Sequence, residues 1–209
     1  MIVKVCGVRT PEVAEAAIDA GADWIGIVFE RRSPRFADDA AARSVRDAVG
    51  LRAEVVGVFV EPSLDQTDAA VSRYRLAAVQ VHGDVAPEFA AQSSVPVIRG
   101  LNVSDREDAL TLQWWPDGLV LLDAPAGALP GGTGRRLPVE WAAEAARHRD
   151  IVLAGGLGPD TVGDAVRRVR PYGVDASSGL ETAPGKKDAA LVTAYVHAAH
   201  AAAGEVDRA

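Results

Sequence analysis

Cysteine occurs once in the 209-residue chain, at position 6, so no internal disulfide can form. A fold without cross-links fits a reducing compartment, and the cytoplasm is the expected location. Aromatic residues make up only 5% of the chain against 48% apolar, so Ala, Val, Leu and Ile must build most of the core. Positive charge is also in deficit. Lys and Arg number 22 against 29 Asp and Glu, a net charge of -7 and a pI near 5.1. Nucleic-acid and anionic-membrane binders normally carry a basic face, so neither partner is expected. No apolar run approaches the roughly 20 residues of a membrane helix. No signal peptide is expected either, because a strand pattern begins at once. No G-x-G-x-x-G follows the first strand, and no motif for a redox cofactor is present. His197 and His200 stand three apart on the last helical segment without a nearby third ligand, so they read as surface positions. Neither a metal nor a cofactor is expected.

What the chain does have is alternation. Eight short strand-like runs recur: residues 2–6, 24–29, 54–60, 77–83, 95–101, 118–123, 151–156 and 172–177. Several are almost wholly apolar, as strands covered on both faces are. A helix-like segment follows each. The first opens with Thr10 at the N-cap position and Pro11 at the first helical position, and closes at Gly21. Eight such units in a single domain, residues 1–209, predict a parallel sheet closed into a (β/α)8 TIM barrel. An open doubly wound sheet is the alternative.

Active sites of such barrels lie at the C-terminal strand ends. In this chain those ends carry Cys6, Arg35 (with Arg31 and Arg32), Gln80, His82, Arg99, Asp123, Gly155, Gly156, Asp175, Ser177, Ser178 and Gly179. Singly, each has a plain reading: Cys6 as a small buried hydrophobe, the arginines as a solvated loop, His82 as a satisfied strand-end histidine, Asp123 as a loop cap. Their convergence on one end of an apolar barrel is not explained by packing. The glycines of LAGGLG and the serines of SSG stand where backbone N–H groups and a helix N-terminus can hold a phosphate. The stretch with Gly131, Gly132, Thr133 and Gly134 reads as a closing loop. A thiol on strand 1 and a carboxyl on strand 6 would face each other across the mouth, one taking a proton while the other gives one. That arrangement suits an isomerase acting on a small phosphorylated substrate.

KVCG, SPR, QVHG, D…GGTG, LAGGL-P and VDASSGLE…G-KD, in that order along nearly the whole chain, resemble the phosphoribosylanthranilate isomerase family of tryptophan biosynthesis. The resemblance implies an Amadori rearrangement of N-(5′-phosphoribosyl)anthranilate to 1-(2-carboxyphenylamino)-1-deoxyribulose 5-phosphate. It implies Cys6 as general base and Asp123 as general acid. It also implies Arg35 on the anthranilate carboxylate, the glycines and serines on the phosphate, and Gln80, His82 and Asp175 shaping the site. Gly7 would let the substrate approach the thiol. After GGTG the family often has Phe-Asp-Trp; this chain keeps Trp141 but has Val139 and Glu140 before it. Monomer and homodimer both remain open. Two other readings compete: a histidine-pathway or dual-substrate sugar isomerase, which would use carboxylates in place of the thiol, and a barrel that binds a sugar phosphate without turnover.

Overall fold

A computed structural model describes residues 1–110, 115, 118–124, 137–206 and 208. Gly131, Gly132, Thr133 and Gly134 lie outside the described residues. Eight parallel strands close on themselves in chain order: β1 (Ile2–Cys6), β2 (Trp24–Val28), β3 (Glu54–Val60), β4 (Ala78–His82), β5 (Val97–Asn102), β6 (Leu119–Asp123), β7 (Ile151–Leu153) and β8 (Gly173–Ala176). The (β/α)8 barrel predicted from the alternation is present, and the open doubly wound sheet is not. Helices α1 (Pro11–Asp19), α2 (Asp39–Val49), α3 (Leu64–Tyr74), α4 (Glu88–Gln92), α5 (Arg106–Leu110), α6 (Val139–Ala145), α7 (Pro159–Val169) and α8 (Ala189–Val206) follow the strands in turn.

Helix starts follow their local chemistry. Asp38 caps α2 by accepting from the Ala41 N–H, and Ser63 and Gln66 form a reciprocal capping box on α3. Thr10 stands at the N-cap of α1 but makes no side-chain cap bond; Pro11 at the first position carries that start instead.

Strand alternation sorts the side chains into two layers. Val3 and Val5, Ile25 and Ile27, Val79 and Val81, and Val174 and Ala176 face outward into the layer shared with the helices. The intervening residues fill the barrel. Val56, Ala78, Ile98, Leu121, Val152 and Ala154 form its apolar interior, with Cys6, Val28 and Val58 as a separate small cluster. The core is mostly aliphatic, as the composition requires; Phe59, Tyr74 and Phe89 join it, and Tyr195 of α8 is its large fully buried aromatic side chain. Each fully buried Val, Leu or Ile contributes roughly 2 kcal/mol.

One segment departs from the sequence reading. After β8 the chain makes a 3-10 turn (Ser178–Leu180) and then a small hairpin, β9 (Glu181–Ala183) and β10 (Lys186–Lys187). Pro184-Gly185 turns it, with Gly185 at φ +78° as a type II turn requires. A Cβ on Gly185 would stand 2.2 Å from the Pro34 carbonyl oxygen, so the hairpin is seated directly on the loop after β2.

Candidate active site

Cys6 ends β1, with its sulfur at the barrel mouth. A Cβ on Gly26 of the neighbouring strand would stand 2.9 Å from Sγ and 3.2 Å from Lys4 Nζ, so the missing side chain makes room for both. Gly7 has a different role from the one expected. It takes φ +76°, and the Arg35 side chain covers it, with Cδ 2.8 Å from where a Cβ would be. Its lack of a side chain accommodates the arginine rather than a ligand.

Asp123 ends β6. Burial, then the charge of Asp175, pushes its carboxyl up to about 6, against the pull of the Ala124 N–H, Lys4 and Arg35. A usable fraction is therefore protonated near neutrality. Burial pushes the Cys6 thiol up from its ordinary value; the Lys4 and Lys187 ammonium groups oppose that and Asp175 adds to it. The two ends thus present a carboxylic acid and a thiol with cations beside it.

Beneath them lies a buried ion pair. Lys4 and Asp175 are register partners on β1 and β8, and Nζ donates to Oδ2 at 3.0 Å. Asp175 Oδ1 and Gln80 Oε1 are buried with no hydrogen-bond partner among the described residues. Such acceptors are costly unless something else meets them. His82 lies against Gly100 of β5, where a Cβ would be 2.2 Å from Cε1. Burial, with Lys4 and Arg99, lowers its imidazole to about 4, so it is neutral. The Gln80 amide nitrogen lies 2.7 Å from its Nε2; with the amide donating, the ring proton is on Nδ1.

Arg35 is buried, and its fork is already engaged. Nε and Nη2 donate to the two Glu181 carboxylate oxygens at 2.7 and 2.8 Å, leaving Nη1 free of hydrogen bonds among the described residues. Glu181 also accepts from Lys187 Nζ at 2.6 Å and the Gly185 N–H at 3.2 Å. The other two arginines of the loop stay outside: Arg31 lies over the Phe36 ring and Arg32 pairs with Glu30. Arg99 turns outward, donating to the carbonyls of Val81 and Gly83 and lying over Trp115.

The glycine turns after β7 and β8 meet. Gly155 and Gly156 take φ of +88° and +69°, and a Cβ on Gly155 would be 2.6 Å from the Ala124 nitrogen. A Cβ on Gly179 would be 2.0 Å from the Leu157 carbonyl oxygen, so only glycine fits against the turn that enters α7. Ser178 opens the 3-10 turn beside this junction. The Ser177 hydroxyl donates to the Cys6 carbonyl at 3.1 Å and accepts from Lys187 Nζ at 3.3 Å, which ties β8 to β1 and uses its only proton.

Three buried charges escaped the sequence reading as individual residues: Lys4, Glu181 and Lys187. A signal for Lys4 existed. A lysine between valines, on a strand covered on both faces, must be paired inside the barrel. Glu181 and Lys187 lie inside the motif VDASSGLE…G-KD, but the hairpin that carries them has strands of three and two residues, so no periodic pattern marks them as buried. Among the described residues no group of His, Cys, Asp and Glu could hold a metal ion, and no helix is long and apolar enough to cross a membrane. His200 Nε2 lies 2.8 Å from the Gly21 carbonyl oxygen, on the outside.

A closed parallel (β/α)8 barrel with a carboxyl, a thiol and paired glycine turns at its strand ends defines the class: an enzyme of the TIM-barrel fold. The family model for N-(5′-phosphoribosyl)anthranilate (PRA) isomerase matches residues 3–198, and the chain belongs to that family of isomerases. N-(5′-phosphoribosyl)anthranilate isomerase of Pelobacter propionicus is 39% identical over 206 residues, covering 99% of each chain. The crystal structure of phosphoribosyl anthranilate isomerase from Thermotoga maritima superposes with a TM-score of 0.89 at 31% identity, covering 96% of this chain and 100% of that one. A further structure of the enzyme, in complex with reduced 1-(o-carboxyphenylamino)-1-deoxyribulose 5-phosphate, has a TM-score of 0.86 at 30% identity, with coverage of 96% and 100%.

Proposed function

We propose that this barrel converts N-(5′-phosphoribosyl)anthranilate to 1-(2-carboxyphenylamino)-1-deoxyribulose 5-phosphate in tryptophan biosynthesis. One observation carries the mechanism: the raised carboxyl of Asp123 shares the mouth with the chain's only thiol. Asp123 protonates the furanose ring oxygen, the C1′–O bond opens, and the nitrogen lone pair completes a Schiff base. The Cys6 thiolate then removes the C2′ proton to give an enolamine. Protonation at C1′ and loss of the 2′-hydroxyl proton yield the ketone. No redox step is involved.

The Arg35 fork is held by Glu181, which fixes the guanidinium plane and offers Nη1 to the anthranilate carboxylate. Gly155, Gly156, Ser178 and Gly179 supply backbone N–H groups for the phosphate, with the N-terminus of α7 behind them. Ser177 supports that cradle rather than reaching the ligand with its proton. Asp175 Oδ1 and Gln80 Oε1 await substrate hydroxyls; His82 backs Gln80 as a neutral ring.

The test is to generate the substrate in situ and follow the loss of its fluorescence above the spontaneous background. The histidine-pathway sugar isomerase substrate is assayed in parallel. Turnover of the first alone supports the reading. Turnover of the second alone replaces it with the histidine-pathway enzyme. Product binding without turnover of either would make the barrel a sensor.

The pH profile is a second check. The acid titrates at about 6 and the base above its ordinary value near 9. Activity needs the first protonated and the second ionised. Below pH 6 the thiolate fraction falls tenfold per unit while the acid is already full. Between the two midpoints, loss of acid and gain of thiolate cancel. The profile of kcat/KM is therefore expected to be a broad plateau with limbs near 6 and above 9. A limb at 7 on the alkaline side would assign the base to another group.

The cradle has its own test. Gly179→Ala is expected to weaken inorganic phosphate binding at least about tenfold by calorimetry, because its Cβ would overlap the Leu157 carbonyl oxygen. Unchanged affinity would move the phosphate elsewhere.

A further inference from the structure

We propose that Lys4 is a positioning residue for Cys6: its ammonium, anchored by Asp175 on the adjacent strand, is the charge that holds the Cys6 thiolate in the barrel mouth. The inference rests on Cys6 being the base.

Lys4 is fully buried, where an ammonium needs acceptors for all three of its N–H groups. Asp175 Oδ2 takes one, at 3.0 Å. No other hydrogen bond of Nζ is present among the described residues, and Nζ and Sγ flank the same space over Gly26, 3.2 and 2.9 Å from where a Cβ would stand, so the ammonium lies beside the sulfur. A thiol is a weak acceptor and a thiolate a strong charged one, so this contact strengthens when Cys6 ionises.

Lys187, the other ammonium near the sulfur, is differently placed. Its donors already meet Ser177 O at 3.2 Å, Ser177 Oγ at 3.3 Å and Glu181 Oε1 at 2.6 Å. Its charge acts on Cys6 from β10, but its hydrogen bonds are spent. Asp175 from β8 acts against the thiolate, Arg35 packs over Gly7, and Asp123 faces the mouth from β6. Lys4 is thus the cation with donors to spare. Asp175 serves it twice: it fixes the ammonium, and it keeps Lys4 charged against the cost of burial.

The experiment uses the single cysteine as its own reporter. Protein carrying 13Cβ-labelled cysteine gives one resonance whose pH titration reads Cys6 protonation without any turnover. Lys4→Met is expected to raise that midpoint by at least about one pH unit and to lower kcat/KM at pH 7 about tenfold or more. The alkaline limb of the rate profile should move up with it, and KM should change less than about threefold. If Lys4→Met does not fold, Lys4→Met/Asp175→Asn removes the orphaned carboxylate, and its Cys6 midpoint should still lie above the parent's.

A folded variant whose Cys6 midpoint equals the parent's overturns the proposal, even if activity falls, because Lys4 would then serve packing alone. A shifted midpoint together with full turnover in Cys6→Ser would overturn the base assignment and leave the lysine–sulfur pairing standing.

Discussion

Asp123→Asn is expected to turn over N-(5′-phosphoribosyl)anthranilate about 1,000-fold more slowly than the parent, and to be the more stable protein at pH 8. The two effects have one cause. The folded barrel raises the Asp123 carboxyl to about 6, which makes it a workable acid and penalises its ionised form. For a carboxyl shifted upward, the cost to stability appears as pH rises. It is absent below about 3.8, where both folded and unfolded chains are protonated, and complete above about 6. Asparagine keeps the shape and can still accept from the Ala124 N–H, but it carries no charge. The side chain is only partly covered, so the gain is on the order of 1–2 kcal/mol. Urea unfolding at pH 3.5 and pH 8 measures it: equal stabilities at the low pH and a gap at the high one are expected. No gap at pH 8 would mean that the folded barrel does not raise the carboxyl above its ordinary value. Full turnover would place the ring-opening acid elsewhere.

The barrel was legible because its signal is redundant. Eight strand-like runs with capped helices between them leave few other folds, and an error of a residue or two at any boundary changes nothing. The predicted run 151–156 shows this: the strand is only Ile151–Leu153, yet the glycines after it still fall at the mouth. The strand-end residues were legible for the same reason. Once the strands are placed, period-two alternation decides that Cys6, Gln80, Asp123 and Asp175 point inward and Arg99 outward.

What escaped was set by contacts between distant segments. Arg35 looks like a free fork in SPR, but its partner Glu181 lies 146 residues away, on a hairpin too short to have a periodic pattern. Gly7 reads as an opening for substrate until Arg35 is seen folded over it. Arg31 and Arg32 match Arg35 in charge and differ only in geometry, with Phe36 and Glu30 holding them outside. The Lys4–Asp175 pair joins β1 to β8, a closure contact that exists only once the sheet has become a barrel.

Cys6→Ser is expected to lower kcat by about 1,000-fold or more while leaving KM within about threefold. Serine fills nearly the same space beside Gly26 and keeps a hydroxyl for Lys4, so the fold and the phosphate cradle are undisturbed. What it loses is the base. An alcohol ionises far less readily than a thiol, and the cations that make a thiolate tolerable in the barrel cannot bring an alkoxide within reach near neutrality. Cys6 is the only cysteine, so the same substitution should also abolish any inactivation by thiol reagents and any protection of the protein from them by product. Parallel measurements of kcat, KM and iodoacetamide inactivation on the parent and the variant settle the point. Turnover in Cys6→Ser within tenfold of the parent would remove the thiol from the chemistry and leave it a packing residue at the end of β1.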